Sequence, residues 1–494
     1  VRNSAIYPLL FTLTAAAQSP QAPARGPQPV KKEAFKNVAP VSKEVLKVKL
    51  PRAKEVHLEN GMTVLILEDH RLPQVSIALQ IEGGGGGLDP TGSKGLSSLS
   101  ATLMREGTAT MNSKQIAEQV DLVAANIGAG AANTALFANF NMSGLSDNFD
   151  KWFPLGMDIF LHPSFPADEW AKLKQRTLLQ LRQQRTNPGF LATERFQKLI
   201  FGENKLVNGD HPYATSSATA AEVEAMTPEV MKKWHDERLA PQNTIMGVVG
   251  DITEADILPK LKTAFGAWKK TDYKPPVPAN APPNPDPHVV IVNRPGSVQT
   301  NLVLGNVGID RRNPDYYAMV VMNQVLGGGG NARLFLNLRE DKGYTYGAYS
   351  NFAAARLAGA WQASSQVRTD VTEGAMREFF NELKRIREEK VPATELEEHK
   401  RGVVASFALS LESPATLLSY AIQSKTYGFP DDYWENYPSK ISAVTADDVQ
   451  RVAQKYLTLD NIQIVAVGDV GKIKPVMEKY GKVAVYDTDG KLAQ

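Results

Sequence analysis

The chain has 494 residues, enough for two or more domains with sizeable cores, and its 55 lysines and arginines offset 53 acidic residues to a formal charge of +2. That balance, with no long basic tract, excludes nucleic acid as the main partner. The lack of cysteine excludes disulfides, thiol catalysis, iron–sulfur clusters and cysteine-ligated zinc.

Residues 1–44 begin with one Arg, an apolar stretch from Ala5 to Leu13 and small residues from Ala15 to Ala17, followed by a Pro/Gln-rich tail. This is the order of a secretory signal and flexible leader, with a disordered leader as the alternative. No other run approaches the roughly 20 apolar residues of a membrane span. The expectation is an exported, soluble, periplasmic protein with no stable membrane span.

Past the leader, "VHLENGMTVLILED" and "PQVSIALQIEG" read as a hairpin pair. Asn60 and Gly61 offer a tight turn, and Val64, Ile66 and the alternating Val75, Ile77, Leu79 and Ile81 give strand periodicity. Helices are predicted over residues 95–104, 113–126 and 168–185, and "NTIMGVVGD" closes the first half, residues 45–272, as another strand. Residues 273–287, "YKPPVPANAPPNPDP", are too rich in proline for a helix or central strand and read as a linker.

From residue 288 to 494 the order of elements restarts with "HVVIVNRP" and "VQTNLVLGNVG". The segment beginning at Met226 aligns without a gap to that beginning at Val444. Thr227/Thr445, Leu239/Leu457, Asn243/Asn461, Val249/Val467, Gly250/Gly468 and Asp251/Asp469 are identical and mark a helix start, its last apolar turn and the ends of the next strand. The reading is α+β: two similar halves, each a largely antiparallel sheet with helices packed on it, facing each other across a cleft. An exposed sheet edge there could hold an extended peptide by main-chain hydrogen bonds.

Two glycine runs, Gly83 to Gly87 and Gly327 to Gly330, fail as nucleotide loops: Arg333 stands where the dinucleotide pattern needs glycine, and no GK[ST] follows either run. Turn chemistry and close backbone approach are favoured for the first. For Gly327, Gly328, Gly329 and Gly330, that reading and a backbone surface for a passing peptide stand level.

In "GLSSLSATLMREGT", residues 95–108, Leu96, Leu99 and Leu103 form one helical stripe and Ser98, Ala101 and Thr102 lie on roughly the opposite side. A zinc peptidase could place two histidines and a proton-accepting acid on that second side. Hydroxyls are poor zinc ligands and alanine offers no base.

This stretch resembles the signature of the pitrilysin and mitochondrial-processing-peptidase family of inverted-motif zinc peptidases, H-x-x-E-H. Gly95, Leu96, Gly107 and Thr108 are kept, while Ser98, Ala101 and Thr102 stand at the His, Glu and His positions. In "LLQLRQQRTNP", Leu179 and Gln180 stand where the family places acids, one of them a ligand. The resemblance implies that this chain binds no metal or other cofactor. None of the seven histidines (His57, His70, His162, His211, His235, His288, His399) offers a substitute: no two lie four apart. His235 and His399 are expected on solvated helix faces, and His211 in a structural turn.

"VLGGGGNARLFLNLREDKGYTYGAYS", residues 325–350, resembles the second-half signature of the same family. Arg339 and Tyr346 match the residues that, in the family, reach across the cleft to the substrate. Arg339 near a helix end can donate to a peptide carbonyl, and Tyr346 on the next strand can donate to a developing oxyanion. Tyr344 is the competing tyrosine, and the plainer reading is an Arg packed at a helix terminus with an ordinary sheet tyrosine. The resemblance implies a peptidase-like N-terminal domain with a degenerate zinc motif, a C-terminal domain with the Arg/Tyr pair, and a non-catalytic, peptide-binding subunit. Zinc is then expected in a homologous partner subunit with intact H-x-x-E-H. A stand-alone peptide-binding or scaffold protein is the alternative.

Overall fold

The computed structural model describes residues 44–202, 211–214 and 217–493, and residues 45–494 form one compact unit. The signal and leader expected over residues 1–44 lie outside the described residues.

Strands β1 Lys54–His57, β2 Thr63–Glu68, β3 Gln74–Glu82, β4 Asn126–Gly130, β5 Phe137–Leu145 and β6 Thr244–Gly250 form one sheet in the order β1-β2-β6-β3-β5-β4. Strands β7 His288–Asn293, β8 Gln299–Val307, β9 Thr345–Ala354, β10 Ala358–Arg368, β11 Gln463–Gly468 and β12 Val483–Tyr486 form a second, in the order β12-β7-β11-β8-β10-β9. Without β1 and β12 the two orders coincide. In each, the first strand runs parallel to the last (β2 with β6, β7 with β11), and the remaining neighbours of that common set are antiparallel. Only the outer strand differs: β1 is antiparallel to β2, whereas β12 is parallel to β7. The duplication legible around Thr227 and Thr445 holds. Both threonines precede helices, Pro228–Arg238 and Ala446–Tyr456, and Gly250 and Gly468 end β6 and β11.

The expected hairpin is a correction. The Asn60-Gly61 turn joins β1 to β2, and β2 does not pair with β3, because β6 is inserted between them. Local alternation marks strands but cannot reveal a neighbour nearly two hundred residues away. The helix predicted over 113–126 also ends early, at Leu122, because Ala124 takes a left-handed φ of 50°.

One face of each sheet carries helices over an apolar core. In the first half Val75, Ile77, Leu79 and Ile81 are at most 1% exposed and pack with Ala138, Phe140 and Met142 of β5. The opposite faces are covered by exchange. The first-half helix Pro188–Gln197 and the turn after it place Leu191, Phe196 and Ile200 against Val292, Val303 and Val465 of the second sheet. In return the second-half helix Pro414–Tyr427 lays Leu417, Leu418 and Ile422 on Leu65, Leu67 and Val249 of the first. Each exchange uses a strand glycine as its seat: a Cβ on Gly247 would stand 2.4 Å from Leu418, and one on Gly305 3.0 Å from Phe196.

Space remains between elements of the two halves, and two of the cavities there flank the exchanged helices. One, of about 710 Å³, lies over β3, β4 and β5 against the Pro414–Tyr427 helix and is lined by Ser76, Gln80, Asn126, Asn139, Asn141 and Gln423. The other, of about 450 Å³, is walled by Phe196, Phe201, Tyr213, Arg356 and Tyr427. The linker is extended and tied down: Tyr273 donates to the Gly83 carbonyl, and Ala358 N–H donates to the Asn280 side chain.

Two histidine expectations are corrected. His235 is buried, its Nε2 2.8 Å from the Phe160 carbonyl, and His399 is 3% exposed. Both lie on helices whose polar sequence suggested a solvated face, but each helix turns that residue toward a neighbour distant in sequence. His211 sits in a turn as expected, its ring stacked on Phe201 at 4.9 Å, and burial holds its imidazole down at about 4.

Candidate functional site

The Leu96–Leu103 helix opens at Gly95, whose φ of +87° suits glycine. Its first turn is fixed by Asp89, which accepts from Ser97 N–H and the Ser97 hydroxyl. Burial raises the Asp89 carboxyl above its ordinary range despite those bonds and the nearby Arg238. Leu96, Leu99 and Leu103 enter the first-half core as the stripe predicts. Ala101 joins them at 2% exposure, so it does not share an open face with Ser98 and Thr102. Thr102 is exposed, and its hydroxyl donates back to the Ser98 carbonyl at 2.9 Å.

The Ala167–Gln184 helix packs against this one and carries Leu179, 56% exposed, and Gln180, also exposed. The donor set of positions 98, 101, 102, 179 and 180 is therefore two hydroxyls, a methyl, an isobutyl group and an amide. It does not fit zinc, which takes imidazole, thiolate and carboxylate. Among the described residues no three His, Asp or Glu side chains gather as a metal-holding group.

In the second half the chain leaves the Tyr316–Leu326 helix through the glycine run. Gly327 is a close-approach residue, since a Cβ there would meet the Ser350 backbone nitrogen at 2.3 Å, and Ser350 N–H donates to its carbonyl. A Cβ on Gly328 would crowd the Gln324 side chain at 2.5 Å, whereas Gly329 and Gly330 have room. Half of the run is thus packing chemistry, and half is open backbone.

Next, Arg333–Phe335 makes one helical turn that widens into π-helical geometry over Leu336–Asp341. Arg333 is buried and donates to both carboxylate oxygens of Glu395, at 2.7 and 2.9 Å. Burial is the largest single influence and opposes ionisation of Glu395, but the Arg333 hydrogen bonds together with the charges of Arg333 and Arg385 hold the carboxyl below its usual range. Leu338 is fully buried. Arg339 faces out, its guanidinium 4.8 Å from the Phe335 ring centre, its Nε 3.3 Å from Glu340 and its side chain 46% exposed.

Tyr346, two residues into β9, is 89% exposed. Ala348 pairs with Ser365 and Thr345 with Val367, so Tyr346 and Gly347 together oppose Gln366 alone: a β-bulge at the sheet edge. The competing Tyr344 precedes the strand and is half-buried, its hydroxyl 2.9 Å from where a Cβ on Gly374 would stand. The structure thus brings Arg339 and Tyr346 onto one exposed turn-and-strand unit and sends Tyr344 inward. It also supplies residues that sequence reasoning missed. Asn337 reaches Glu378 and Glu382, and the Thr345 and Ser365 hydroxyl oxygens lie 2.9 Å apart across the bulge. No spacing rule signals contacts between side chains so far apart in sequence.

Two packed α+β halves of matching topology, one with a stripped metal face and one with an exposed Arg/Tyr unit, define a duplicated peptidase-like architecture. Comparison with known proteins agrees. The family model described as Insulinase (Peptidase family M16) matches residues 63–208, and that described as Peptidase M16 inactive domain matches residues 225–403. The chain belongs to peptidase family M16. It is similar to the uncharacterized zinc protease YmxG of Bacillus subtilis (strain 168), 21% identical over 408 residues that span 82% of this chain and 96% of the relative. An uncharacterized zinc protease of Rickettsia felis is 25% identical over 410 residues, 81% of this chain and 93% of the relative. Among solved structures, a peptidase M16 inactive domain from Pseudomonas fluorescens superposes with a TM-score of 0.76 at 28% identity. It covers 84% of this chain and 98% of that one.

Proposed function

We propose that this chain is a non-catalytic, peptide-binding subunit of a heterodimeric zinc endopeptidase, exported to the periplasm, that lends Arg339 and Tyr346 to its partner's site. The observation that carries this reading is a contrast within one molecule. Positions 98, 101, 102, 179 and 180 hold no imidazole, thiolate or carboxylate to suit zinc, while Arg339 and Tyr346 stand open to solvent on fixed backbone. Side chains kept exposed with nothing of their own to act on are suited to a site completed by another chain.

The partner is a homologous subunit with intact H-x-x-E-H, whose two histidines would hold zinc; the ion would lower the pKa of a bound water. Arg339 donates to a carbonyl of the bound peptide, with Gly329 and Gly330 offering open backbone beside it. Tyr346 donates to the oxyanion that develops on the scissile carbonyl. Among the described residues the sheet edges β4 and β9 carry no strand on their outer sides and suit an extended peptide.

The test is to purify the two chains separately and mixed. Proteolysis must appear only in the mixture and must fall when Tyr346→Phe is introduced here. Equal activity of the zinc subunit alone overturns the reading. A second reading, a stand-alone peptide-binding protein, draws on the amide-lined cavity of about 710 Å³, which needs no metal to hold a peptide. It predicts that native purification yields a monomer or homodimer with no zinc peptidase attached.

A further inference from the structure

We infer that two hydrogen-bonded staples pre-set the Arg339–Tyr346 unit, making Asn337, Thr345 and Ser365 positioning residues for it. The inference rests on the subunit reading for its functional consequence, but the staples themselves stand on geometry within this chain.

The first staple holds the wide turn. A π-helical turn is rare and persists where surrounding contacts impose it. Here Lys342 N–H donates to the Asn337 carbonyl and Gly343 N–H to that of Arg339, so the chain closes the turn around these two residues. The Asn337 amide points inward and donates to Glu382 at 2.8 Å and Glu378 at 3.3 Å, on the Thr372–Glu388 helix. Glu382 and Glu378 are only 5% and 9% exposed, so loss of that donor leaves two nearly buried carboxylates short of a partner. With Asn337 inside and Leu338 fully buried, Arg339 is left facing out.

The second staple holds the bulge. Thr345 Oγ donates to the Gln366 carbonyl at 2.7 Å, and Ser365 Oγ, on the facing strand, donates to the Gly347 carbonyl at 2.9 Å. These bonds bracket Tyr346 on both sides and replace ladder bonds that the extra residue disrupts. Backbone fixed in this way leaves only the phenol's own rotations to be ordered when a partner and peptide arrive, and a pre-set attachment point of this kind is part of how pre-organised donors gain their effect.

The test uses the full chain carrying Asn337→Ala or Thr345→Val, alone and mixed with the zinc-binding subunit. Amide hydrogen exchange over residues 336–348 of the isolated chain should speed up in each variant while the rest of the second half stays protected. In the mixture, kcat should fall by about ten- to hundredfold with KM within about twofold, the mark of a misplaced reacting group. Placed in a Tyr346→Phe background, Thr345→Val should cost almost nothing further, because the group it positions has lost its hydroxyl. Asn337→Asp should behave as Asn337→Ala does, and adding Glu382→Gln should restore part of the rate by reversing donor and acceptor. Unchanged exchange in both variants overturns the staples, and an equal loss of rate in the Tyr346→Phe background overturns the positioning role. A wild-type mixture with no activity overturns the subunit reading instead, and the exchange measurement on the isolated chain still decides the staples.

Discussion

The two halves share a strand order and a helix-to-strand repeat, yet they diverge where chemistry would sit. In the first half the regular Leu96–Leu103 helix carries Ser98, Ala101 and Thr102, residues that pack or pair with the helix itself. In the second, the corresponding helix, Tyr316–Leu326, is also regular, but the segment that follows it is not: a π-helical turn and a β-bulge leave Arg339 and Tyr346 facing solvent. Relaxed geometry accompanies chemically blank side chains, and constrained geometry accompanies exposed ones. Irregular backbone costs stability, so its persistence beside the Arg/Tyr pair argues for use there.

The comparison can be broken first at the exchanged helices, where the largest effect is expected. Phe196→Ala removes a fully buried ring of the first half from the second sheet above Gly305. It should lower unfolding stability by about 3–5 kcal/mol in denaturant titration, and a single cooperative transition should persist because neither sheet is covered without the other half's helix. Two separate transitions would mean the halves fold independently. Next, Tyr346→Phe should reduce kcat of the mixed enzyme by about a hundredfold, the usual cost of losing one oxyanion donor, whereas Thr102→Val in the first half should leave turnover unchanged. A rate insensitive to Tyr346→Phe removes the functional side of the contrast.

A smaller effect belongs to His211. Its folded-state pKa of about 4 lies below the ordinary imidazole value, so its contribution is complete above about pH 6.5 and is lost as pH falls toward 4. The protein should lose about 2 kcal/mol of stability between pH 7 and pH 5 through this group, and His211→Phe should flatten that slope. The smallest change is expected from Arg356→Ala, which breaks a half-to-half ion pair with Glu82 at 2.6 Å. Both side chains are one-third exposed, and the loss should stay below about 1 kcal/mol.

Much of this was legible from residues alone. The stripped metal face could be read at positions 98, 101, 102, 179 and 180 because what a side chain can ligate is decided by its own atoms. The duplication was visible at Thr227/Thr445 and Gly250/Gly468 because caps and strand ends carry local chemistry. Other features were hidden. His235 and His399 sit on helices whose composition looks solvated, and only their neighbours bury them. Tyr344 and Tyr346 are equivalent in period-2 alternation, and it took the bulge opposite Gln366 to separate them.

The sequence by itself determined the inventory: which elements form, that they repeat, that a proline-rich strap joins them and that positions 98, 101, 102, 179 and 180 carry no imidazole or carboxylate. Those properties depend on side-chain chemistry and short-range periodicity. The tertiary structure alone decided that β6 lies between β2 and β3, that each half covers the other's sheet, and that Asn337 and Ser365 hold the Arg/Tyr unit. Those arrangements depend on contacts between segments far apart along the chain, for which neighbouring residues carry no periodic signal.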